Sequence, residues 1–432
     1  MLQACMEELF SKSEALKGIR ILDITRIIFG PWAATLLAEL GAEVVHVEMP
    51  GAGDILSRSM SPRGHFPRNM SLGMMCGSAN KFHIGLDMHK PEGIELVRKL
   101  AARSDIVMEN FKAGTFDKWG VGYRQLREIK PDLVYLSMQG FGSWGSLSAR
   151  PSYDAYAQGL TGLAEITGFP DATGVKSSTW IGDFLSGTFA AFYAVAALYY
   201  RKKTGKGQFI DIAQAEVLMR SMDWTWIFQH LKKKKRERFG NRDMAVVPSC
   251  IVKTTDGFAA LAGFSEQEYE GICTAADRKD MVEFKPIEKR FAVADRIYCA
   301  IEEWGRGRTT AEIIEAGQKH GFSAAQVMNV ESIYNSKHYN ERRTVWKFDD
   351  PLWGDLCYPM PLHLAETPGR IKWSIRPVGF DNEYVLRKIL GCSPEEVQAF
   401  YDNGVVGKWN ESLPLACPPP EWDGSAGLFF RE

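Results

Sequence analysis

Neither sign of charge prevails in this chain. Over 432 residues, 52 Lys and Arg stand against 53 Asp and Glu, a formal net charge of −1. So even a balance removes the electrostatic footprint of a nucleic-acid binder. None of the eight cysteines, at 5, 76, 250, 273, 299, 357, 392 and 417, forms a C-x-x-C pair. That argues against a zinc site and for a reduced, cytoplasmic setting. Residues 1–14 mix acids with apolar side chains and lack the basic-then-apolar order of a secretory leader. A long apolar run is also wanting: the best one, 184–200, lies near the short limit for a membrane span and carries Ser186, Gly187 and Thr188. A buried core helix is the expectation there. The glycine fingerprint G-x-G-x-x-G is missing from the turn Thr25-Arg26-Ile27-Ile28-Phe29-Gly30, which disfavours an NAD-dependent dehydrogenase.

What is present is a strand–helix rhythm. Residues 18–24 read as a strand, Gly30-Pro31 opens a helix that ends at Gly41, and 43–48 read as the next strand. Such a β-α-β unit implies a parallel sheet with a right-handed crossover. The irregular stretch 51–78 is followed by a strand near 80–88, a helix over 91–103 and a strand over 105–110. Phe111-Lys112-Ala113-Gly114 then stands at a strand's C-terminal end, where open α/β sheets bind ligands. A helix over 123–129 and a strand over 132–137 lead to a second such loop, Gln139-Gly140-Phe141-Gly142. A strand over 207–212 and a helix over 213–222 follow. An α/β fold is the class predicted.

The length favours two domains. Residues 1–222 read as a large domain, and 223–245 as a linker whose basic run, 232–238, suits a solvated face. Residues 246–343 read as a smaller α+β domain with a hairpin about Asp256-Gly257. Residues 344–432 begin rich in Pro and Trp, then hold a helix over 382–390 and another opened by Ser393 with Pro394 and Glu396.

Trp180-Ile181-Gly182-Asp183-Phe184 heads the longest apolar helix, which stops at Arg201-Lys202-Lys203-Thr204-Gly205. An Asp before a helical run reads as an N-cap, and cations followed by Gly as a stop. The positive helix end would favour an ionised carboxylate, and Gly182 leaves room for a close approach. From spacing alone Asp183 is either a cap or a nucleophilic carboxylate.

Several pieces in order bear on that choice: Leu22-Asp23-Ile24-Thr25 with Gly30-Pro31, Leu40-Gly41-Ala42-Glu43-Val44, Asn80-Lys81, Glu109-Asn110-Phe111, Gly182-Asp183, Thr204-Gly205-Lys206-Gly207-Gln208, Asn382-Glu383 and Gly404-Val405-Val406. On these the chain resembles the class III coenzyme A transferases, the family of the formyl-CoA:oxalate and carnitine enzymes. The resemblance implies a Rossmann-like large domain built from both chain ends (344–432 returning to 1–222), a small domain between them, and two interlocked chains. It makes Asp183 the nucleophile of a transfer through an aspartyl anhydride and an aspartyl-CoA thioester. The acyl-CoA is then substrate, with no tightly bound cofactor and no metal.

For the CoA itself the resemblance points to Arg26, Ile28, Leu86, His89, Asn110, Phe111, Lys112, Lys118, Gln139, Gly140, Phe141 and Gly142. Some of these depart from the family pattern: Lys118 stands for an Arg, His89 and Gln139 stand where Lys is often found, and Met49 replaces a basic residue. The glycine loop of the formyl-CoA enzymes is absent, which argues against oxalate or formate. A rival activity is acyl-CoA racemisation, but Tyr153 takes the place of the racemase His, and Tyr is a poor base near neutral pH. A further alternative is a silent subunit of a hetero-oligomer, which retention of Asp183 opposes. The expected partners are an acyl-CoA, with succinyl-CoA favoured as donor, a carboxylic acid, and a second copy or a related subunit. The loop arginines Arg58, Arg63 and Arg68 read either as holders of a second carboxylate or as a solvated loop.

Overall fold

The computed structural model describes residues 9–54, 58, 72–352, 354–360 and 362–410. They form two compact units. Described residues 9–161, 177–222 and 344–410 make the first; 162–176 and 223–343 make the second.

The first unit is built on one sheet. Its strands are β1 (Arg20–Ile24), β2 (Glu43–Glu48), β3 (Lys81–Leu86), β4 (Ile106–Glu109), β5 (Val134–Gln139) and β6 (Gln208–Ala213). They lie parallel in the order β3-β2-β1-β4-β5-β6, and the short strand Val406–Gly407 pairs antiparallel outside β3. Leu22 is in register with Val45 on one side and Val107 on the other. Both faces are covered, as a parallel sheet requires. Leu22, Ile24, Val45, Ile84, Val107 and Tyr135 pack with Leu96, Val97, Leu126 and Leu386. Ile21, Val44, Ile106, Met108 and Leu136 pack with Ala33, Leu37, Ala190 and Ala194.

Strand order reverses between β1 and β4: the chain builds outward one way through β2 and β3, then the other way through β5 and β6. A crevice opens at such a switch point, at the strands' C-terminal ends.

The helix Ile181–Thr204 crosses the helix Phe29–Glu39 closely. Gly187 permits this, because a Cβ there would lie 2.6 Å from the Phe29 carbonyl oxygen. Phe184 meets the Trp32 ring edge-on at 5.2 Å. By length and composition this helix would be able to cross a membrane, yet half of its apolar window is buried in the protein. The expected core helix is therefore buried on one face only: Ala190, Ala194 and Ala197 are sealed, while Phe192, Val195 and Tyr199 are exposed. The helix also starts earlier than expected. Trp180 holds the cap position and Asp183 is the third helical residue, so Asp183 is not an N-cap.

The C-terminal segment ties onto β3. Asn382 Oδ1 accepts from the Gly85 amide at 3.0 Å, and Asp381 Oδ2 from the His83 amide at 2.8 Å. Tyr384–Ile389 winds as a π-helix within the expected helical stretch. Ser393 forms a full capping box with Glu396, with Pro394 in the first turn.

In the second unit β7 (Ser249–Lys253) and β8 (Phe258–Ala262) form the expected hairpin, and β9 (Ser323–Gln326) pairs with β8. Its core gathers Val252, Leu261, Tyr269, Ile272, Ile297 and Ile301. Within 223–245, residues Thr225–Lys232 are helical. The arginines of the basic run are structural ties, since Arg236 pairs with Asp223 at 2.8 Å and Arg238 donates to the Phe169 carbonyl at 3.1 Å. Lys233, Lys234 and Lys235 are exposed.

Of the loop arginines, Arg63 and Arg68 lie outside the described residues. Arg58 is neither solvated nor open to a ligand's carboxylate: it is buried, with Nε 2.7 Å from Glu48 Oε1.

Candidate active site at the sheet switch point

The site starts where β1 ends. Asn110, just beyond β4, clamps the turn from both sides: its Oδ1 accepts from the Arg26 amide at 2.8 Å and its Nδ2 donates to the Arg26 carbonyl at 2.8 Å. The Asn110 amide is thus committed to backbone. Next in the turn, Ile27 sits at φ +68°, a costly conformation for a β-branched residue. Its amide donates to Asp54 Oδ2 at 2.5 Å. The Arg26 guanidinium lies 4.5 Å from the Phe111 ring centroid.

Glu109 joins the ends of β4 and β5. It accepts from Ser137 Oγ at 2.6 Å and from the Phe111 amide at 2.8 Å. Burial pushes its carboxyl up to about 7. Ser137 Oγ in turn accepts from Gln139 Nε2 at 3.1 Å, and the buried Gln139 Oε1 has no partner among the described residues.

Above these strand ends lies a cleft of about 410 Å³. Arg26, Ile27 and Phe29 line it from β1, residues 110–113 from β4 and 138–140 from β5; the loop 148–153, Asp183 and Gln214 complete it. Asp183 is 9% exposed. Its Oδ1 accepts from Gln214 Nε2 at 2.6 Å. Beside it, Asp154 Oδ1 accepts from the Gly182 amide at 2.7 Å. Burial first, and the Asp154 charge second, push Asp183 up to about 7, against the Gln214 hydrogen bond. The helix end, expected to favour the ionised form, does not keep the carboxyl in its ordinary range. Desolvation of a charge outweighs a terminal dipole whose effect is of the order of 1 kcal/mol.

The fold therefore brings Asp183 together with Arg26, Asn110, Phe111, Lys112, Gln139 and Gly140. The other expected contacts do not line the cleft. Ile28 is buried against Cys76. Leu86 is sealed in the sheet core beside Val406. Phe141 packs edge-on against Tyr156 at 5.8 Å, and Gly142 is buried beside Asp211. His89 and Lys118 are exposed farther out. An aromatic path does reach His89: Phe111 meets Trp119 at 5.7 Å, and Trp119 meets His89 at 6.0 Å.

Sequence reasoning missed Arg150 and Gln214 in the cleft lining and the Asp154 charge beside Asp183. The one usable signal was a polar side chain at 214 between Ile212-Ala213 and Ala215.

His46, Glu48 and His83 have ligand-like spacing, but Arg58 already supplies the cation on Glu48. Tyr153, in the racemase His position, lines the cleft and is exposed. Chemically, the arrangement is a desolvated carboxylate with one oxygen held by Gln214 and no second hydrogen-bond donor among the described residues, in a cleft whose lining also carries Arg26, Lys112 and Arg150.

Comparison with known proteins identifies the family. The family model for CoA-transferase family III matches residues 16–382. The beta subunit of a succinyl-CoA–L-malate CoA-transferase from Chloroflexus aurantiacus is 31% identical over 399 residues, covering 90% of this chain and 98% of that protein. A succinyl-CoA:mesaconate CoA-transferase from Haloarcula marismortui is 32% identical over 344 residues, 78% of this chain and 86% of that one. Among solved structures, a CaiB/BaiF family protein from Brucella suis superposes with a TM-score of 0.77 at 25% identity, covering 88% of this chain and all of that one.

Proposed function

This chain belongs to CoA-transferase family III, and we propose that it carries CoA from succinyl-CoA to a dicarboxylic acid, with Asp183 as the nucleophile. The observation that carries the proposal is the single cleft in which Asp183 meets the strand-end residues Arg26, Phe111, Lys112, Gln139 and Gly140.

An Asp183 oxygen attacks the thioester carbonyl; a C–O bond forms, the C–S bond breaks, and CoA leaves as thiolate. The thiolate attacks the Asp183 carbonyl of the resulting anhydride, giving an aspartyl-CoA thioester and releasing the donor acid as carboxylate. The acceptor carboxylate attacks that thioester and expels thiolate, forming a second anhydride. The thiolate then attacks the acceptor's acyl carbon, freeing the Asp183 carboxylate. One thioester replaces another, so no ATP is needed. Covalent catalysis divides a hard exchange into easier steps. Burial of Asp183 keeps water from the activated acyl group.

Two considerations support the choice of substrates. The malate and mesaconate enzymes are named for succinyl-CoA and a dicarboxylic acid. The rim cations Arg26, Lys112 and Arg150 suit phosphate and a second carboxylate, guanidinium forks especially. In the same reading two chains work together, a second copy or a related subunit. Phe192, Val195 and Tyr199, exposed on the Asp183 helix, suit such a contact.

The test is intact-mass analysis after incubation with succinyl-CoA, with hydroxylamine or borohydride trapping and an Asp183→Ala control. A hydroxamate or CoA-sized adduct that maps to Asp183 and vanishes in the control is expected. No adduct with any acyl-CoA donor, alongside α-proton exchange from deuterated solvent, would instead point to a racemase.

A further inference from the structure

We infer that Gln214 is a positioning residue of the transfer site: its side-chain amide fixes the rotation of the Asp183 carboxylate, holds Oδ1, and leaves Oδ2 to attack. This rests on the reading of Asp183 as nucleophile and names the group that aims it.

Gln214 opens the helix Gln214–Arg220 directly after β6 and is 3% exposed. Its neighbours Ile212, Ala213, Ala215, Val217 and Leu218 are buried and apolar, so nothing but its partners explains a polar side chain there. Both ends of the amide are engaged. Nε2 donates to Asp183 Oδ1 at 2.6 Å, and Oε1 accepts from Ser152 Oγ at 3.3 Å. Ser152 thereby sets which end of the amide faces Asp183. A donor at one carboxylate oxygen matters because the terminal torsion of Asp is otherwise broad and roughly two-fold. A short hydrogen bond to a charged acceptor is the strong kind.

The opposite flank is held independently. Asp154 Oδ1 takes the Gly182 amide, its Oδ2 takes Gln158 Nε2 at 2.6 Å, and Gln158 Oε1 takes the Ser177 amide at 2.9 Å. Asp154 is thus pinned and does not compete for Gln214. Besides Gln214, the group that bears on the Asp183 charge is Asp154; the cations Arg26, Lys112 and Arg150 also line the cleft. Gln214 donation favours the ionised form, opposing burial and Asp154. Its loss therefore has two consequences: a freely rotating carboxylate, and fewer ionised molecules at neutral pH.

Gln214→Leu keeps the volume and removes both hydrogen bonds. The full-length variant is assayed for the rate of trappable Asp183 acylation by succinyl-CoA across pH, with its melting temperature as a check on folding. We expect acylation to slow by about tenfold to a hundredfold at neutral pH, the acidic limb of the rate profile to move to higher pH by about one unit, and KM for succinyl-CoA to change little. Ser152→Ala, which touches the amide only from behind, should slow acylation by about threefold and move the limb in the same direction; it serves if Gln214→Leu does not fold. An unchanged rate, or a uniform loss with the limb unmoved, would overturn the role and leave Gln214 as packing. If wild-type protein gives no Asp183 adduct, it is the nucleophile reading that falls. The carboxyl titration of Asp183 by ¹³C NMR, with Asp183→Asn as blank, then decides the Gln214 contact separately: a midpoint unmoved in Gln214→Leu overturns it.

Discussion

Asp23 and Asp183 are both buried carboxylates of the first unit, and they are treated in opposite ways. Asp23, on β1, accepts from Lys81 Nζ at 2.7 Å, His46 Nδ1 at 2.8 Å and Thr25 Oγ1 at 2.5 Å. Lys81 is itself fully buried and also donates to the Pro31 carbonyl at 2.9 Å. Burial alone would raise the Asp23 carboxyl, but Lys81 and His46 outweigh it and hold the group far below the usual range. Asp183 has one neutral donor, Gln214, and faces another acid, Asp154, so burial prevails and lifts it to about 7. A carboxylate whose lone pairs are all taken can only hold structure. One left with a spare oxygen in a cleft, at an energetic cost, is the kind found where chemistry is done.

Exchanging Asp for Asn at each position should produce opposite losses, and this is the largest contrast. Asp183→Asn should cut transfer at least about a thousandfold, because an amide does not replace a carboxylate nucleophile, and it should melt no lower than wild type. Asp23→Asn should cost about 3–5 kcal/mol of stability, because Lys81 is left buried without its counter-charge. Steady-state assay with succinyl-CoA and a dicarboxylate, beside denaturant unfolding, separates the two. A loss of activity in both at equal stability would erase the distinction.

The Asp23 side of the comparison sharpens with its partner. Lys81→Met alone should destabilise by an amount similar to Asp23→Asn, about 3–5 kcal/mol. The double variant should lose less than the sum, with a coupling of about 1–3 kcal/mol. Strict additivity in urea titrations would mean that the pair is not acting as a unit.

The two carboxylates also give stability slopes of opposite sign with pH. Between pH 3.8 and about 7, folded protein binds the Asp183 proton more tightly than unfolded chain does, so this group's contribution to stability falls as pH rises through that window and is level above it. Asp23 has a lowered folded pKa, so its contribution is present above pH 3.8 and is lost only as pH drops below it. Burial lifts Glu109 to about 7 and Glu39 to about 8, in an overlapping range, so the informative quantity is the difference between wild type and Asp183→Asn. That difference should widen from pH 3.8 to about 7 and then stay constant. Acylation, which needs the ionised form, should rise through the same window.

The strand-end half of this site was legible in the sequence and the electrostatic half was not. Parallel strands place all their C-terminal ends on one edge, so Arg26, Asn110-Phe111-Lys112 and Gln139-Gly140 were bound to meet once β1, β4 and β5 were recognised. Asp183 stood out because an apolar helix ran away from it. Its raised pKa did not, because that depends on burial and on Asp154 and Gln214, which lie 29 and 31 residues away in sequence and reach it only through the fold. Leu86 and Ile28 lie in the core rather than in the cleft lining for a related reason: an apolar residue at a strand end or turn points either into a cleft or into the core, and the alternation of side chains alone does not say which. Arg58 read as loop, and only its burial on Glu48 shows it to be structural.

Gly182 should give the smallest effect and the most specific one. An added Cβ would lie 2.9 Å from Asp154 Oδ1, 3.2 Å from Leu218 Cδ1 and 3.5 Å from Gln214 Nε2. Alanine in a helix is worth roughly 1 kcal/mol over glycine, while the contact with Asp154 costs a similar amount, because that carboxylate is pinned at both oxygens and has little room to yield. Gly182→Ala should therefore leave stability within about 1 kcal/mol of wild type. Its effect on chemistry should not cancel in the same way. Pushing Asp154 and Gln214 apart loosens the Gln214 donor on Asp183, and acylation should slow by about threefold to tenfold. Loss of stability without loss of rate would mean that the close approach serves packing alone, and that Asp183 is less finely held than Asp23.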